Sequence, residues 1–475
     1  MTRHSLPALV LILVAGAPAF AQPTPGTTPP ASIQDQKKPT STFASILAAK
    51  FPDWDADHNG TLSPDEIDKL CIDASIKGPD AAAAAALKRV VRSERFELPP
   101  LTLGYLTKQA ERRGGTDGSG RSRGTGDEDS GNTDRRDSGE SRPRTGARPD
   151  GASSTALQSA SPLVWESTFR SCLTRIQRSD RTLFKDDSDL TLDHCHQGPL
   201  GDCYFVSVVG AMVKRDPGSI RKMIHERSES DGGGYSVTLG GGKEIVLGPL
   251  TDAELAISST TRDRAGDEGV WLAVLEKAFG TYRHETRPDV FKTASATDAI
   301  AKGGTTATSI RVLTGHAPEN IVLKHKVLVS GLGQQDINGK QVGETRMAQA
   351  ASTDELAAKV REKVAGALKA GKIAAAGTAD EKQPPGINPK HAYAVLAYDE
   401  GKDTLTLWNP HGNAFPPRRG EIKEPGLENG YPTKAGVFEV PVKDFVRIFA
   451  GVSYETDEAA GQSRPRDTQR SRRGS

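Results

Sequence analysis

Two histidines and two cysteines fall within ten positions of the stretch HCHQGPLGDCYF, residues 194–205. Residues of these types can bind a metal, form one half of a disulfide, or supply a nucleophilic thiol. Structural zinc sites usually pair cysteines that are separated by about two to four residues. Cys195 and Cys203 stand eight positions apart. This spacing argues against zinc and leaves the disulfide and the nucleophile as hypotheses.

The residues around Cys203 favour a thiol at the start of a helix. Gly and Pro before Asp202 predict a turn, and the apolar run CYFVSVVGAMV predicts a buried helix with Asp202 as its N-cap. The helix dipole and the free backbone N–H groups of a first turn stabilise a thiolate and lower the thiol pKa. A buried structural cysteine is the alternative, and a nearby base would decide between the two.

The candidate base is His391, in the segment HAYAVLAYDEGKDTLTLWNPHG. This segment alternates apolar and polar residues on both sides of a polar turn, which predicts a β-hairpin. With the loop at residues 399–401, His391 lies opposite Asn409, and cross-strand side chains approach to about 5 Å. An Asn carbonyl can hold the imidazole N–H while the other ring nitrogen faces the thiol. The sequence therefore predicts a Cys-His-Asn arrangement.

Three segments resemble the active-site segments of the calpain family of cysteine peptidases, and they occur in the family's order. They are QGPLGDCYF around the cysteine, HAYAVLAYD at the histidine and LWNPHG at the asparagine. Three further segments also match: WLAVLEKAF (271–279), GGTTATSIRVLTG (303–315) and GVFEVPVKDFVRIF (436–449). The resemblance covers most of residues 163–455.

The resemblance implies a role for each matching residue. Cys203 resembles the nucleophile, His391 the general base and Asn409 the residue that orients it. Gln197 resembles the side chain that binds the developing oxyanion together with the backbone N–H of Cys203. The implied fold is α+β and papain-like, with a helical and a β-rich subdomain and the substrate in the cleft between them. The implied reaction is cleavage of protein or peptide substrates through an acyl-thioester, and in the family calcium brings the two subdomains together.

Three positions depart from the family pattern. Tyr204 replaces the Trp that usually follows the nucleophile, and Lys390 replaces the Gly that usually precedes the histidine. His411 replaces a Trp that shields the His–Asn hydrogen bond from water. These changes keep open a catalytically inactive, calcium-responsive binding module of the same family. A transglutaminase-type acyl transferase is disfavoured, because its third residue is normally Asp where this chain has Asn409.

A second motif, DADHNGTLSPDE (55–66), resembles the calcium loop of a single EF-hand. Its predicted ligands are the side chains of Asp55, Asp57, Asn59 and Glu66 and the backbone carbonyl of Thr61. EF-hand loops usually pair, and the sequence offers no second loop of this pattern. We therefore expect one weakly bound Ca²⁺, with either a structural or a regulatory role.

Composition limits the possible partners and the compartment. The chain has 62 Lys and Arg against 61 Asp and Glu, so its charge gives no reason to expect nucleic acid as a partner. A basic start, an apolar run and an Ala-Phe-Ala pattern predict a signal peptide that is cleaved after Ala21. We expect a secreted or periplasmic protein with no membrane span in the mature chain, and the oligomeric state stays open. Cys172 and Cys195 are a candidate disulfide pair in such an oxidising compartment.

Shifts in composition divide the chain into six segments. They are a signal peptide (1–21), a Pro/Thr-rich linker (22–40), an EF-hand-like helical domain (41–112), a disordered linker (113–162), a calpain-like peptidase domain (163–455) and a disordered tail (456–475). The 114–151 stretch has no large apolar residue from which a core could be built.

Overall fold

The computed structural model describes residues 41–93, 96–111, 162–198, 200–258, 268–291, 295–324, 351–416 and 424–460. Within the first two of these ranges, capping residues and apolar spacing determine where the helices begin and which faces they bury. The first four helices are α1 (Phe43–Trp54), α2 (Pro64–Ile72), α3 (Gly78–Val91) and α4 (Leu103–Glu111). Thr42 and Ser63 each form a capping box, which fixes where α1 and α2 begin. The predicted signal peptide and the two predicted linkers, apart from Pro162, lie outside the described residues.

These four helices share an apolar core with the helix that follows, α5 (Pro162–Arg178). Residues 81–86 of α3 are all alanine and all buried, and such short side chains let neighbouring helices approach closely. Phe43 stacks on Trp165, with ring centroids 5.5 Å apart. The sequence suggested a separate small domain, whereas in the structure its helices pack directly on the region that carries the predicted active site.

The central part of the chain adds helices and a small sheet. The helices are α6 (Cys203–Arg215), α7 (Pro217–Met223), α8 (Asp252–Ile257), α9 (Trp271–Thr286), α10 (Ala296–Ala301) and α11 (Thr306–Thr314). Strands β1 (Ile224–Glu226), β2 (Tyr235–Thr238) and β3 (Glu244–Leu247) form an antiparallel sheet in that order. The predicted helix after Gly201 is therefore present, and it begins at Cys203.

A six-stranded antiparallel sheet forms the rest of the fold, in the order β4-β9-β5-β6-β7-β8. Its strands are β4 (His316–Val322), β5 (Ala374–Thr378), β6 (Ala392–Asp399), β7 (Thr404–Trp408), β8 (Val437–Pro441) and β9 (Phe449–Ala459). β9 continues to Ala459, so residues 456–459 belong to the sheet, although the sequence assigned them to a disordered tail. The tail beyond residue 460 lies outside the described residues.

Helix α6 lies against β5 and β6 on one face of this sheet. Gly210 makes the contact possible, because a Cβ there would lie 2.3 Å from the Trp408 ring. A second apolar cluster fills the other face, with residues of α12 (Thr353–Lys359), a π-helical segment (Val360–Val364) and α14 (Val442–Ile448). The short α13 (Ala365–Lys369) follows the π-helical segment. This mixture of helices and antiparallel sheets agrees with the predicted α+β class, and its packing brings the first turn of α6 to the start of β6.

Candidate active site

Cys203 is the first residue of α6, and Asp202 occupies the N-cap position without a side-chain capping bond. Burial, with a smaller contribution from the charge of Asp202, raises the pKa of the Cys203 thiol to about 11. The backbone N–H groups of Ala392 and of the first turn act in the opposite direction. The sequence predicted a lowered thiol pKa, and this was wrong because desolvation outweighs the helix terminus.

His391 and Asn409 are joined by a hydrogen bond of 2.8 Å between Nε2 and Oδ1. Because Oδ1 can only accept, Nε2 carries the proton and Nδ1 keeps its lone pair. The hairpin register differs from the predicted one: Ala394 pairs with Trp408, and a bulge follows Val395. The two residues are nevertheless neighbours, because each lies just beyond the end of its strand.

Two polar residues that the sequence analysis did not identify hold this pair. The Asn409 amide nitrogen donates to Asn388 Oδ1 at 3.1 Å, which fixes the orientation in which Asn409 Oδ1 faces the imidazole. The backbone N–H of His391 donates to Thr378 Oγ1 at 3.0 Å. Neither residue stands out in the sequence, since Thr378 ends β5 and Asn388 lies in the loop before β6, outside both motifs.

Burial also governs the charge of the base. It lowers the pKa of His391 to about 3, aided by neighbouring His411, while the hydrogen bond to Asn409 acts the other way. A thiol with a raised pKa beside an imidazole with a lowered pKa gives a neutral pair at neutral pH. Within the part of the chain that the structure describes, no hydrogen bond joins Cys203 Sγ to His391. Catalytic hydrogen bonds are often long before substrate binds.

Gln197 lies beside the nucleophile, as predicted. Its buried side-chain amide lies 3.1 Å from the backbone nitrogens of both Asp202 and Cys203, so its oxygen accepts from these two N–H groups. Its amide nitrogen, Nε2, therefore points away from these two N–H groups. The backbone N–H of Gln197 also donates to the carbonyl of Pro410 at 2.8 Å. The loop before Cys203 is thus bonded to the loop that follows Asn409.

The family model described as calpain family cysteine protease matches residues 174–415, just over half of the 475-residue chain. The chain belongs to the calpain family of cysteine proteases. The matched range contains Gln197, Cys203, His391 and Asn409. No curated protein matches the chain. A calpain-family protease domain implies protein substrates, and none of the described helices is long and apolar enough to cross a membrane.

The structure shows the surroundings of two residues that depart from the calpain pattern, Tyr204 and Lys390. The Tyr204 hydroxyl donates to the carbonyl of Ile300 at 2.9 Å and accepts from Arg283. Lys390 has a φ of 48°, in the left-handed region that glycine adopts without strain. The glycine usual in calpains therefore suits this turn, and the lysine strains it.

The cysteines do not pair as expected. All four are free thiols, so the candidate disulfide between Cys172 and Cys195 is absent from the structure. Cys172 lies 3.5 Å from a guanidinium nitrogen of Arg89. Cys195 is fully buried near Glu276, and its burial raises its pKa well above the ordinary value. The two thiols therefore have different surroundings.

The predicted calcium loop brings its oxygen ligands together. Ligand atoms of Asp55, Asp57 and Glu66 lie within 4.8 Å of one another. Asn59 Oδ1 accepts from the N–H of Thr61 at 2.8 Å, which folds the loop inward. Burial opposes ionisation of Glu66, but hydrogen bonds from its neighbours hold its pKa below the ordinary value. A carboxylate-rich oxygen donor set of this kind fits Ca²⁺.

The predicted loop is bonded to a neighbouring segment. The backbone N–H of Leu62 donates to the carbonyl of Leu101 at 3.1 Å. Leu101 lies two residues before α4, so this bond ties the loop to the segment between α3 and α4.

Proposed function

We propose that the chain is an exported cysteine endopeptidase whose triad is Cys203, His391 and Asn409, with Gln197 as an oxyanion donor. The 2.8 Å hydrogen bond from His391 Nε2 to Asn409 Oδ1 carries this proposal. It fixes the imidazole tautomer that has a basic Nδ1, and α6 presents Cys203 at the start of the strand that follows His391. A cysteine that serves only in packing does not require an oriented imidazole beside it.

The reaction follows from these positions. Nδ1 of His391 takes the thiol proton as Sγ of Cys203 attacks the carbonyl carbon of the scissile peptide bond. The backbone N–H of Cys203 exchanges its bond to Gln197 Oε1 for a bond to the new oxyanion. Rotation of the Gln197 side-chain amide then turns Nε2 toward the same oxyanion, where it donates a second hydrogen bond. His391 then protonates the leaving amine, and the C–N bond breaks to give the acyl-thioester. Water activated by His391 hydrolyses the thioester and restores the thiol.

The neutral resting pair shapes this mechanism. With the thiol pKa raised and the imidazole pKa lowered, a stable thiolate–imidazolium pair does not form in the described state. Proton transfer must therefore accompany attack on the substrate, or follow a closer approach of Cys203 and His391. The second route allows activity to be controlled by the packing around α6.

We also propose that calcium binding to the loop regulates this packing. Asp55, Asp57, Asn59, Thr61 and Glu66 would hold the ion, which would supply a compact positive charge that draws these oxygens together. Glu66 lies on α2, the same short helix as Asp68.

A chain of contacts leads from α2 to the nucleophile. Asp68 pairs with Lys88 of α3, and Lys88 in turn pairs with Asp298 of α10. Two residues further along α10, the Ile300 carbonyl accepts from Tyr204, the residue after the nucleophile. Calcium-dependent shifts of α2 would therefore reach α6 through side chains that are already in contact.

Cleavage of casein under mild reductant, with calcium or with a chelator, tests both proposals. We expect cleavage by the mature chain, loss of cleavage in Cys203→Ala, and lower activity with chelator. Asp55→Ala should reproduce the effect of the chelator, while His225→Ala, an exposed change on β1, should behave as wild type. Folded protein that cleaves nothing in any condition would favour the inactive binding module. If activity is the same with chelator as with calcium, the peptidase proposal stands and the proposal that calcium regulates it is refuted.

Export has its own test. The N-terminal sequence supports a cleaved signal peptide, so protein recovered from the medium or periplasm should begin at Gln22. Protein that remains in the cytoplasm with Met1 still in place would refute export. The peptidase proposal would not be affected by that result.

A further inference from the structure

A cavity of about 210 Å³ lies between α2, α3 and α10, and it shares no lining residue with the proposed active site. The side chains of Ile67, Val91 and Ala301 give it apolar walls. Pro64 and Lys302 also line it and are exposed, so the cavity opens to solvent where these two residues lie. Its volume is that of about seven water molecules in the liquid, and it is smaller than the roughly 300 Å³ at which drug-sized sites begin. The cavity therefore suits a small ligand.

Positive charge predominates among the residues that line this cavity. Three of the four charged lining residues are cations, Lys88, Arg92 and Lys302, and the fourth is Asp298. Asp298 pairs with both Lys88 and Arg92, and Lys88 also pairs with Asp68. Lys302 is the exposed cation at the mouth, and among the described residues no carboxylate forms an ion pair with it. An anionic group on a ligand would therefore find a partner at Lys302.

The buried ammonium group of Lys88 also favours an anionic ligand. Its side chain is 6% exposed, and burial lowers its pKa to about 8, although the carboxylates of Asp298 and Asp65 act in the opposite direction. Desolvation of this cation thus outweighs the attraction of the carboxylates around it. A further carboxylate in the cavity would stabilise the charged form of Lys88, because a nearby opposite charge favours ionisation.

We propose that this cavity is a binding site for a small monocarboxylic acid with a short alkyl chain. The carboxylate would pair with Lys302 near the ammonium group of Lys88, and the alkyl chain would pack on the apolar walls. The charge selects a carboxylate over an amine, and the walls select an alkyl chain over a small inorganic anion. The ligand would contact α10, whose Ile300 carbonyl accepts from Tyr204 in the first turn of α6.

The test measures the binding of four probes to the intact protein by ligand-observed NMR titration. The probes are hexanoate, 1-hexanol, hexylamine and acetate. We expect a Kd of about 1 mM for hexanoate, which is typical of a ligand of this size. 1-Hexanol has the same chain without the charge and should bind about fivefold more weakly. Hexylamine carries the wrong charge and acetate lacks the chain, so neither should show saturable binding at about 20 mM.

Two variants test whether hexanoate binds in this cavity. Ala301→Leu extends an apolar side chain into the space and should weaken hexanoate binding by about tenfold or more. Lys302→Met should weaken hexanoate binding by about fivefold and leave 1-hexanol binding unchanged. The matched controls are Ala48→Leu on α1 and Lys222→Met on α7, both at exposed positions, and they should bind hexanoate as wild type does. Urea midpoints show whether each variant is folded.

Three results would overturn the proposal. Equal affinity for hexanoate and 1-hexanol would mean that the cavity does not recognise charge. Unchanged hexanoate affinity in folded Ala301→Leu would mean that the ligand binds elsewhere, and absence of hexanoate binding at about 20 mM would mean that there is no such site. If Ala301→Leu does not fold, Lys302→Met decides, because an unchanged preference for hexanoate over 1-hexanol refutes the assignment. None of these measurements requires cleavage, so failure of the peptidase proposal would leave them unaffected.

Discussion

Cys203 should react slowly with disulfide reagents at neutral pH, and this is the sharpest test of the resting site. Its pKa is about 11 against an ordinary 9.0, so at pH 7.5 its thiolate fraction is about 100-fold lower than that of an ordinary cysteine. A more basic thiolate is also a better nucleophile, which regains about eightfold across two pKa units. The net expectation is a rate roughly tenfold below that of an exposed cysteine.

The assay follows mixed-disulfide formation with a small aromatic disulfide by peptide mass spectrometry between pH 6 and pH 10. Because the pKa lies above this range, the rate should rise about tenfold per pH unit without a plateau. Asp202→Asn removes a buried charge that raises the thiol pKa, so it should speed the reaction. Cys203→Ala identifies the labelled peptide. A constant, fast rate from pH 6 to pH 8 would mean a thiolate–imidazolium pair and would refute the neutral resting site.

Four further substitutions test other parts of the structure. Asn409→Ala should lower kcat by about a hundredfold with little change in KM, and Asn388→Ala by less, since Asn388 only orients Asn409; equal kcat values in stopped assays would contradict this order. Lys390→Gly should raise the free energy of unfolding by about 0.5 kcal/mol. Relief of the strained left-handed backbone slightly exceeds the cost of the greater chain entropy that glycine gives the unfolded state. A lower free energy of unfolding in urea titrations would refute this. Lys88→Met should lower the free energy of unfolding by about 3 kcal/mol, since it leaves the buried carboxylate of Asp68 without its cation, while Asp298 keeps Arg92. Lys50→Met, at an exposed ion pair, is the control and should leave the urea midpoint unchanged.

The sequence was most informative where chemistry is concentrated in short motifs. The predicted hairpin placed His391 close to Asn409, and the error in its register did not matter because both residues lie just beyond the ends of their strands. The bulge after Val395 could not be foreseen, since it depends on how β6 packs against its neighbours. The predicted calcium loop was proposed on the same kind of evidence, because the positions of EF-hand ligands are fixed by their spacing along one loop.

Properties that depend on burial were not accessible from the sequence. The first-turn argument for Cys203 gave the wrong direction of pKa shift, because the sequence shows the helix start but not how deeply α6 is packed against β6. The docking of the first four helices was missed for a similar reason. A run of six alanines predicts a stable helix, and only the structure shows that all six are buried. Asn388 and Leu101 act through contacts that no local pattern encodes.

Tyr204→Phe tests whether the calcium loop and the nucleophile are mechanically connected. Its hydroxyl is the last contact in the series and donates to the Ile300 carbonyl on α10, two residues after Asp298. α10 has only six residues, so a shift at Asp298 must move Ile300 as well. Removing the hydroxyl frees the first turn of α6 from that helix while leaving the calcium ligands intact. Calcium uptake by calorimetry should be unchanged, and the ratio of activity with calcium to activity with chelator should approach one. An unchanged ratio would mean that calcium, if it regulates the enzyme, acts through a different set of contacts.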